Sequence, residues 1–416
     1  MIARPGGRVP IAIFMAAGLG GSSGRAGAQA RDAAAPVAQV RDAKGQAHTD
    51  FFPLPLYATA PTEGSTFGAL PVFLRVNAAG DTTSITAPSV TWNSATGVNG
   101  TFRFYDVASR MRSWSLIAAA STHVNRTLRF EYKDAPTDPG RFTLEIQAVA
   151  RRSLFYRYFG MGPDTSSADQ SSYTRELALL SVRSGLIVVR HFEAGLRGGV
   201  HWDRPERHAI FGLPATQDRF PDAPGLAGAA LATAELSLRF DTRPEGDYAR
   251  RGLASELHVA RQVGLEHSDS FWQATWHTRE LIPETRFLTG AARLYWTDEL
   301  GGRDVPFYYR SALGGEILFR AFGDDRFIDR GAWEAEVEQR FRLFETHWFH
   351  TTAEWRIDPF VAVGQVYPRL DTIVSRPRAA IGVGFRAYVH PNVLGRVDVA
   401  YASDGTNVYV TLGYPY

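Results

Sequence analysis

Few residues in this chain have types and spacing that invite chemistry. His267-Ser268-Asp269 gathers the side chains of a base, a nucleophile and an orienting acid in one run. Neighbours on an extended strand point to opposite faces, so a His and the Ser after it diverge unless a turn brings them together. Glu345, His347 and His350 are metal-ligand types, but positions i and i+3 on a strand also face opposite ways. Past its N-terminus the chain has no G-x-S-x-G, no H-E-x-x-H and no P-loop. It contains no cysteine, which excludes disulfides, thiolate catalysis and Cys-based zinc sites. The expectation is a protein that is not an enzyme, with no catalytic residue, metal or cofactor.

The other chemistry on offer is charge pairing. From Trp333 the odd positions run Trp333, Ala335, Val337, Gln339, Phe341, Leu343, and the even ones Glu334, Glu336, Glu338, Arg340, Arg342. A period of two puts one face in grease and the other in water or polar protein. Five charges on one strand face suit the polar lumen of a membrane barrel better than a dry sandwich core. On Trp348–Val366 the even positions carry Glu354, Arg356, Asp358, Phe360, Ala362 and Gly364 on a single face. Ahead of both strands, Gly314 to Gly323 reads as a loop bearing one arginine, Arg320, followed by Phe322. A guanidinium favours bidentate carboxylates, so Arg320 is expected to pair with Glu338, Glu354 or Asp358 and hold the loop inward. The alternative is a solvated lumen charge.

The elements that must position these residues are strands. Alternation and turn signals predict them at 66–77, 84–92, 113–124, 126–133, 141–151, 174–183, 185–198, 228–240, 253–261, 271–279 and 286–296. After the arginine loop come 331–344, 348–366, 378–390, 394–402 and 406–416. The total is sixteen, an even number as single-chain bacterial barrels require. The region 93–112 resists assignment, and the Pro- and aromatic-rich 51–57 reads as a lead-in at the barrel rim. The fold class expected is all-β, a transmembrane antiparallel barrel with an inward-folded loop.

The first thirty residues read as a secretory signal: Arg4 and Arg8, an apolar run from Ile11 to Leu19, and Ala28-Gln29-Ala30 before Arg31. Residues 31–50 read as a disordered periplasmic leader and 51–416 as the barrel. The net charge of +2 argues against nucleic acid as a partner.

Leu313-Gly314-Gly315, Phe319-Arg320-Ala321-Phe322 and Glu338-Gln339-Arg340-Phe341 together resemble the BamA/TamA (bacterial surface antigen) family of outer-membrane barrels. Phe155 to Thr165 resembles that family's aromatic–glycine rim segment, and Asp241-Thr242-Arg243-Pro244 with Gly252 a strand junction. Ala321 stands where the family's loop has glycine, and Ala362 where it has an aspartate that partners the loop arginine. The last residues alternate Val408, Val410, Leu412, Tyr414, Tyr416 and end on an aromatic, similar to the C-terminal signal for insertion, although Phe is usual there. The resemblance covers 50–416, and the twenty residues before it are too few for a periplasmic POTRA domain. It implies a cell outer-membrane location after export, with partners in outer-membrane lipid, in the barrel-assembly machinery for its own insertion, and in a possible periplasmic protein. The function implied is assembly or translocation of outer-membrane protein or lipid. The alternatives are a passive solute pore gated by the Arg320 loop, or a surface-exposed structural or attachment barrel.

Overall fold

The computed structural model describes residues 46–412, except 79–81, 108, 110, 245–248, 349–350 and 390–392. The signal and leader, but for the end of the latter, lie outside the described residues, as do His350, Tyr414 and Tyr416. One antiparallel sheet runs through nineteen strands and closes on itself. Two of them, Thr82–Thr86 and Ser89–Asn93, lie end to end between the same neighbours, so the barrel has eighteen staves. In chain order these are β1 His48–Ala60, β2 Gly64–Val76, the two-piece β3, β4 Gly97–Asp106, β5 Arg112–Ser121 and β6 Arg126–Asp134. Next come β7 Phe142–Tyr158, β8 Ser171–Val189, β9 Phe192–Arg207, β10 Ala229–Asp241, β11 Gly252–Glu266, β12 Phe271–Pro283 and β13 Leu288–Leu300. The last five are β14 Gly331–Trp348, β15 Thr351–Tyr367, β16 Arg378–Val389, β17 Val393–Ala402 and β18 Gly405–Leu412.

The expected count of sixteen is thus two short, and both missing staves lie before the loop. The aromatic–proline stretch is not a lead-in at the rim but the middle of β1, which begins at His48, within the expected leader. Its prolines hide the strand signal, and their placement shows why they are tolerated. Pro53 lies directly opposite Pro71. Neither has an N–H to exchange, so the pair must be of the non-hydrogen-bonded kind, with each nitrogen turned away from the partner strand. Pro53 and Pro55 therefore turn donor-less nitrogens away from β2, to the other edge of β1. Pro71 turns its own toward the interruption in β3 at Ala87-Pro88. The second missing stave, β4, lay in the glycine-dotted stretch that resisted assignment.

The turn expected near residue 184 is also absent: β8 runs unbroken to Val189, and the chain reverses at Arg190-His191. Gly185 is there for space, because a β-carbon would run into the carboxylate of Glu193 and the hydroxyl of Thr143.

Side chains alternate as a membrane barrel requires. On β14, Val337, Phe341 and Leu343 are exposed outward while Glu334, Glu336, Glu338 and Arg340 are buried inward. Exposed aromatics gather toward the two ends of the outer wall, with Trp92, Trp202, Trp272 and Tyr401 at one and Phe51, Phe142, Phe240 and Phe385 at the other. Among the described residues no helix is long and apolar enough to cross a membrane. The first of these ends carries the long connections, 159–170, 208–228, 301–330 and 368–377; those at the other end are mostly short.

Candidate functional site

Connection 301–330 folds back into the barrel. A two-stranded ribbon, Ser311–Leu313 against Phe327–Asp329, carries the tip, 314–326, into the lumen. Gly314 and Gly315 sit at φ 114° and 122°, a region side chains avoid, and a β-carbon on Gly314 would meet the carbonyl of Gly323. The rim segment grips the base of the loop. The N–H of Gly162 donates to the carbonyl of Ile328 at 2.8 Å, and Arg326 donates to Thr165 while lying over the Phe159 ring. Phe319 packs tilted on Phe322 at 4.6 Å between centroids and Phe322 edge to face on Phe327 at 5.0 Å, all buried with Ala321 and Leu313. Ala321 is not among the residues of positive φ; besides the two glycines, Asp325 at 51° is left-handed in the tip, and so is Phe319 at 57°. Its N–H is received by the Glu334 carboxylate at 2.7 Å.

Arg320 is fully buried among three carboxylates. Nε and Nη2 form a fork to Glu336 at 3.2 and 2.7 Å, Nη2 also donates to Glu338 at 2.9 Å, and Nη1 donates to Asp398 on β17 at 2.9 Å. The flat face of the guanidinium rests on the Phe360 ring, 3.6 Å from its centroid. Gly382, paired with Phe360 across β15 and β16, leaves room for that ring, since a β-carbon there would run into it.

Of the three acids expected to hold Arg320, Glu338 touches it and the other two pair elsewhere. Asp358 faces Arg386 at 3.2 Å, and Glu354 pairs with Arg342 at 2.8 Å and with Arg356. The division has a geometric cause. Strand alternation says which face a carboxylate occupies but not its height in the barrel, which register sets. Register puts Glu336 directly across from Ala362, the position where an aspartate was looked for. The neighbouring strand thus supplies an acid at the level where β15 lacks one. Asp398 reaches the site from a strand far along the sequence; the Glu-x-Glu-x-Glu run was visible, but this closure was not.

Around this centre the charges continue as a lattice. Arg293 bonds Glu334, Arg340 bonds Glu338, and Arg386 and Arg396 both reach Asp398 at 2.8 and 3.0 Å. With Glu316 on the loop facing Arg396 and Glu345 on Arg342, the lattice among the described residues holds seven arginines and eight carboxylates. Removing an ion from water costs several kcal/mol, which only close pairing offsets, so near neutrality is the condition for burying so many.

The C-terminal residues divide. Val408 points outward and Val410 is buried at the junction with β1, opposite Thr59, while Tyr409 between them turns inward under the loop. The other candidate chemistry is structural. The Asp269 carboxylate accepts the N–H groups of Asp304 and Arg303 at 3.0 and 2.7 Å, which hold it below the usual carboxylate range and fix the start of the loop. Glu345 pairs with Arg342. Among the described residues no group of three or more His, Asp or Glu is placed to hold a metal.

No protein-family model matches the chain, and no curated protein matches it in sequence. Solved structures do match in fold. BamA from Haemophilus ducreyi lacking POTRA domains 1-3 superposes with a TM-score of 0.53 at 14% identity, over 89% of this chain and 75% of that one. CdiB from Acinetobacter baumannii gives 0.51 at 12% identity, over 89% and 66%, and CdiB from Escherichia coli 0.55 at 11%, over 83% and 65%. At these identities the likeness is one of fold.

Proposed function

We propose that this chain is an outer-membrane barrel of the assembly or translocation type, acting on protein or lipid at the junction of β1 and β18 and not as an enzyme. The observation that carries the reading is the pair of prolines on the β1 edge that faces away from β2. Thr59 of β1 pairs with Val410 of β18, and Pro53 and Pro55 remove two donors from the same edge of β1. A strand edge short of donors pairs less firmly with its neighbour and is easier to part for an incoming strand. The lumen supports the same direction of traffic. A barrel of this size has room for an aqueous channel, yet here the loop and its lattice occupy one side of it. Short turns at one end and long loops at the other fit an orientation with the loops outside the cell.

The second reading, a solute pore gated by the Arg320 loop, has its own support in the opposite wall. There Glu145 and Glu193 keep about a fifth of their side-chain surface open, at 22% and 18%. Photo-crosslinking in cells separates the two, with probes at the outward residues Phe67, Phe73 and Val408. Adducts to other outer-membrane proteins or to a periplasmic partner support the assembly reading. Adducts to lipid alone, together with steady conductance of the purified barrel, replace it with the pore.

A further inference from the structure

Connection 368–377, between β15 and β16, is fastened to the outer surface of the wall. Trp333 lies on the outward face of β14 with Val337 and Phe341, and its indole N–H donates to the Ile373 carbonyl at 2.5 Å. Gln365, directly across from Trp333 on β15, shares its face with the exposed Val361 and Val363. The Gln365 amide donates to the Thr372 carbonyl at 2.9 Å and to the Ser375 hydroxyl at 3.1 Å, and its carbonyl accepts the Arg376 N–H at 2.8 Å. Along that face of β15, exposure falls from 54 and 36% at Val361 and Val363 to 3% at Gln365, because the connection lies over it.

Three features suit this connection to a membrane surface. Leu370 and Val374, in and just after the short 3-10 turn Leu370–Thr372, stay 51 and 70% exposed. The backbone is closed on the protein. The N–H groups of Thr372, Ile373 and Ser375 reach the carbonyls of Arg369, Leu370 and Thr372 at 2.9, 3.3 and 3.1 Å, and Gln365 takes that of Arg376. Pro368 and Pro377 have none to satisfy. Backbone laid against lipid needs such partners within the protein, whereas backbone in water does not. The charges are paired as well. Arg369 forks to Asp371 at 3.1 and 3.0 Å, and Arg376 pairs with Asp164 of the rim segment. Both pairs are more than half exposed, which leaves them free to reach headgroups or water while the aliphatic residues do not.

We propose that 368–377 is a lipid anchor: Leu370 and Val374 enter the headgroup–acyl boundary of the leaflet at the long-loop end, and Trp333 and Gln365 fasten them to the wall. The two bare side chains continue the apolar outer surface of Val361, Val363 and Ile381. A tryptophan on the outer wall near a strand end is the residue that marks headgroup level. The occupant is lipid and not a partner protein, since a stable protein interface buries roughly 1,000 Å² or more, beyond what two aliphatic side chains offer. β14 and β15 also carry Glu336, Glu338 and Phe360 around Arg320, so the anchor holds from outside the wall that the inserted loop covers from inside. It rests on the function proposed above only in taking the barrel to span a membrane.

The chain has no cysteine, so a fluorophore can be placed singly at Val374→Cys, at Val361→Cys on the wall, or at Asp222→Cys on the exposed connection 208–228. Each labelled barrel is reconstituted into phosphatidylethanolamine–phosphatidylglycerol vesicles. Quenching by lipid spin-labelled close to the headgroup is compared with quenching by iodide present on both sides, because interfacial segments lie about 5–10 Å into that boundary. The lipid-to-iodide quenching ratio at Val374 is expected to exceed that at Asp222 by about threefold or more. Trp333→Phe with Gln365→Ala releases the fastening and brings the Val374 ratio down toward that of Asp222, with the Val361 ratio unchanged. A Val374 ratio equal to that of Asp222, while Val361 stays quenched by lipid, overturns the anchor. A released variant whose Val374 ratio does not fall overturns the part given to Trp333 and Gln365. Iodide quenching at all three sites overturns the membrane-spanning barrel along with its anchor, so the two failures are told apart by Val361.

Discussion

Two walls of the same lumen use the same side chains to different ends. On β13 to β18 the arginines and carboxylates at the centre of the lattice are wholly buried. On β7 to β11 a comparable set faces inward: Arg183 with Glu193, Arg239 with Glu145 and Glu256, Arg197 with Glu235, and His258 between Glu235 and Glu256 at 2.9 and 3.4 Å. In this second set several partners keep contact with water, Glu145, Glu193 and Glu235 at 22, 18 and 11% of their side-chain surface. Both walls carry alternating charge on the inward face, so the strands did not create the difference. The loop did, by laying Phe319, Arg320, Ala321 and Phe322 over one wall and leaving the other facing the remaining lumen. What is dry in this barrel is set by one inserted segment.

If so, the largest effect follows from emptying the centre of the dry side. Arg320→Ala leaves Glu336, Glu338 and Asp398 buried with one cation fewer, and breaking a buried pair in this way costs about 3–5 kcal/mol. The expected outcome is a marked fall in the temperature at which the detergent-solubilised barrel loses its compact electrophoretic mobility, with increased conductance as the loop leaves. Arg320→Lys recovers part of the loss, because a point charge cannot make the fork to Glu336 or lie flat on Phe360. If mobility and conductance both stay unchanged, the two walls are alike and Arg320 is a solvated lumen residue.

The sequence is unevenly informative about these walls. Alternation on 331–344 and 348–366 tells which residues look inward, and the structure agrees position by position up to Arg342, after which an irregularity shifts the β14 register. Alternation is a local property, written in neighbours two apart. The partners of Arg320 are not local: Glu336 is chosen by register against Ala362, Asp398 by closure of the sheet, and Phe360 by the space Gly382 leaves. The staves overlooked, β1 and β4, are those in which prolines and glycines mask the pattern. Pro53 and Pro55 read as the end of regular structure because a proline within a strand ordinarily demotes it. Here they lie on the edge beside the junction, where a missing donor costs little.

A middle-sized effect sharpens the register argument. Glu336→Ala removes the bidentate acid under Arg320, with an expected loss of about 2–3 kcal/mol, the range for a charged hydrogen bond taken from a buried partner. Adding Ala362→Asp places a carboxylate directly across the strand pair at the same height. The double variant should recover about half of the lost thermal stability, since Asp is one methylene shorter than Glu. Two losses that simply add would mean that height in the barrel does not select the partner.

The smallest effect is expected on the wetter wall, and its salt dependence is the sharper test. Arg183 is itself buried, donating to Glu193 at 2.5 Å and to Ser237 at 3.0 and 3.1 Å. Arg183→Gln removes the charge and keeps an amide able to reach Ser237. The carboxylate left behind, Glu193, can take up water from the lumen, so the cost should be about 1 kcal/mol, near that of an exposed pair. Raising the salt from about 0.01 M to about 1 M shortens the screening length roughly tenfold, which reaches charges in contact with water and leaves buried ones largely untouched. The difference between wild type and Arg183→Gln should therefore shrink in salt, while that between wild type and Arg320→Ala should not. Equal salt sensitivity in the two variants would mean that the loop does not exclude water from the wall it covers, and the contrast between the walls would have to be sought in the strands themselves.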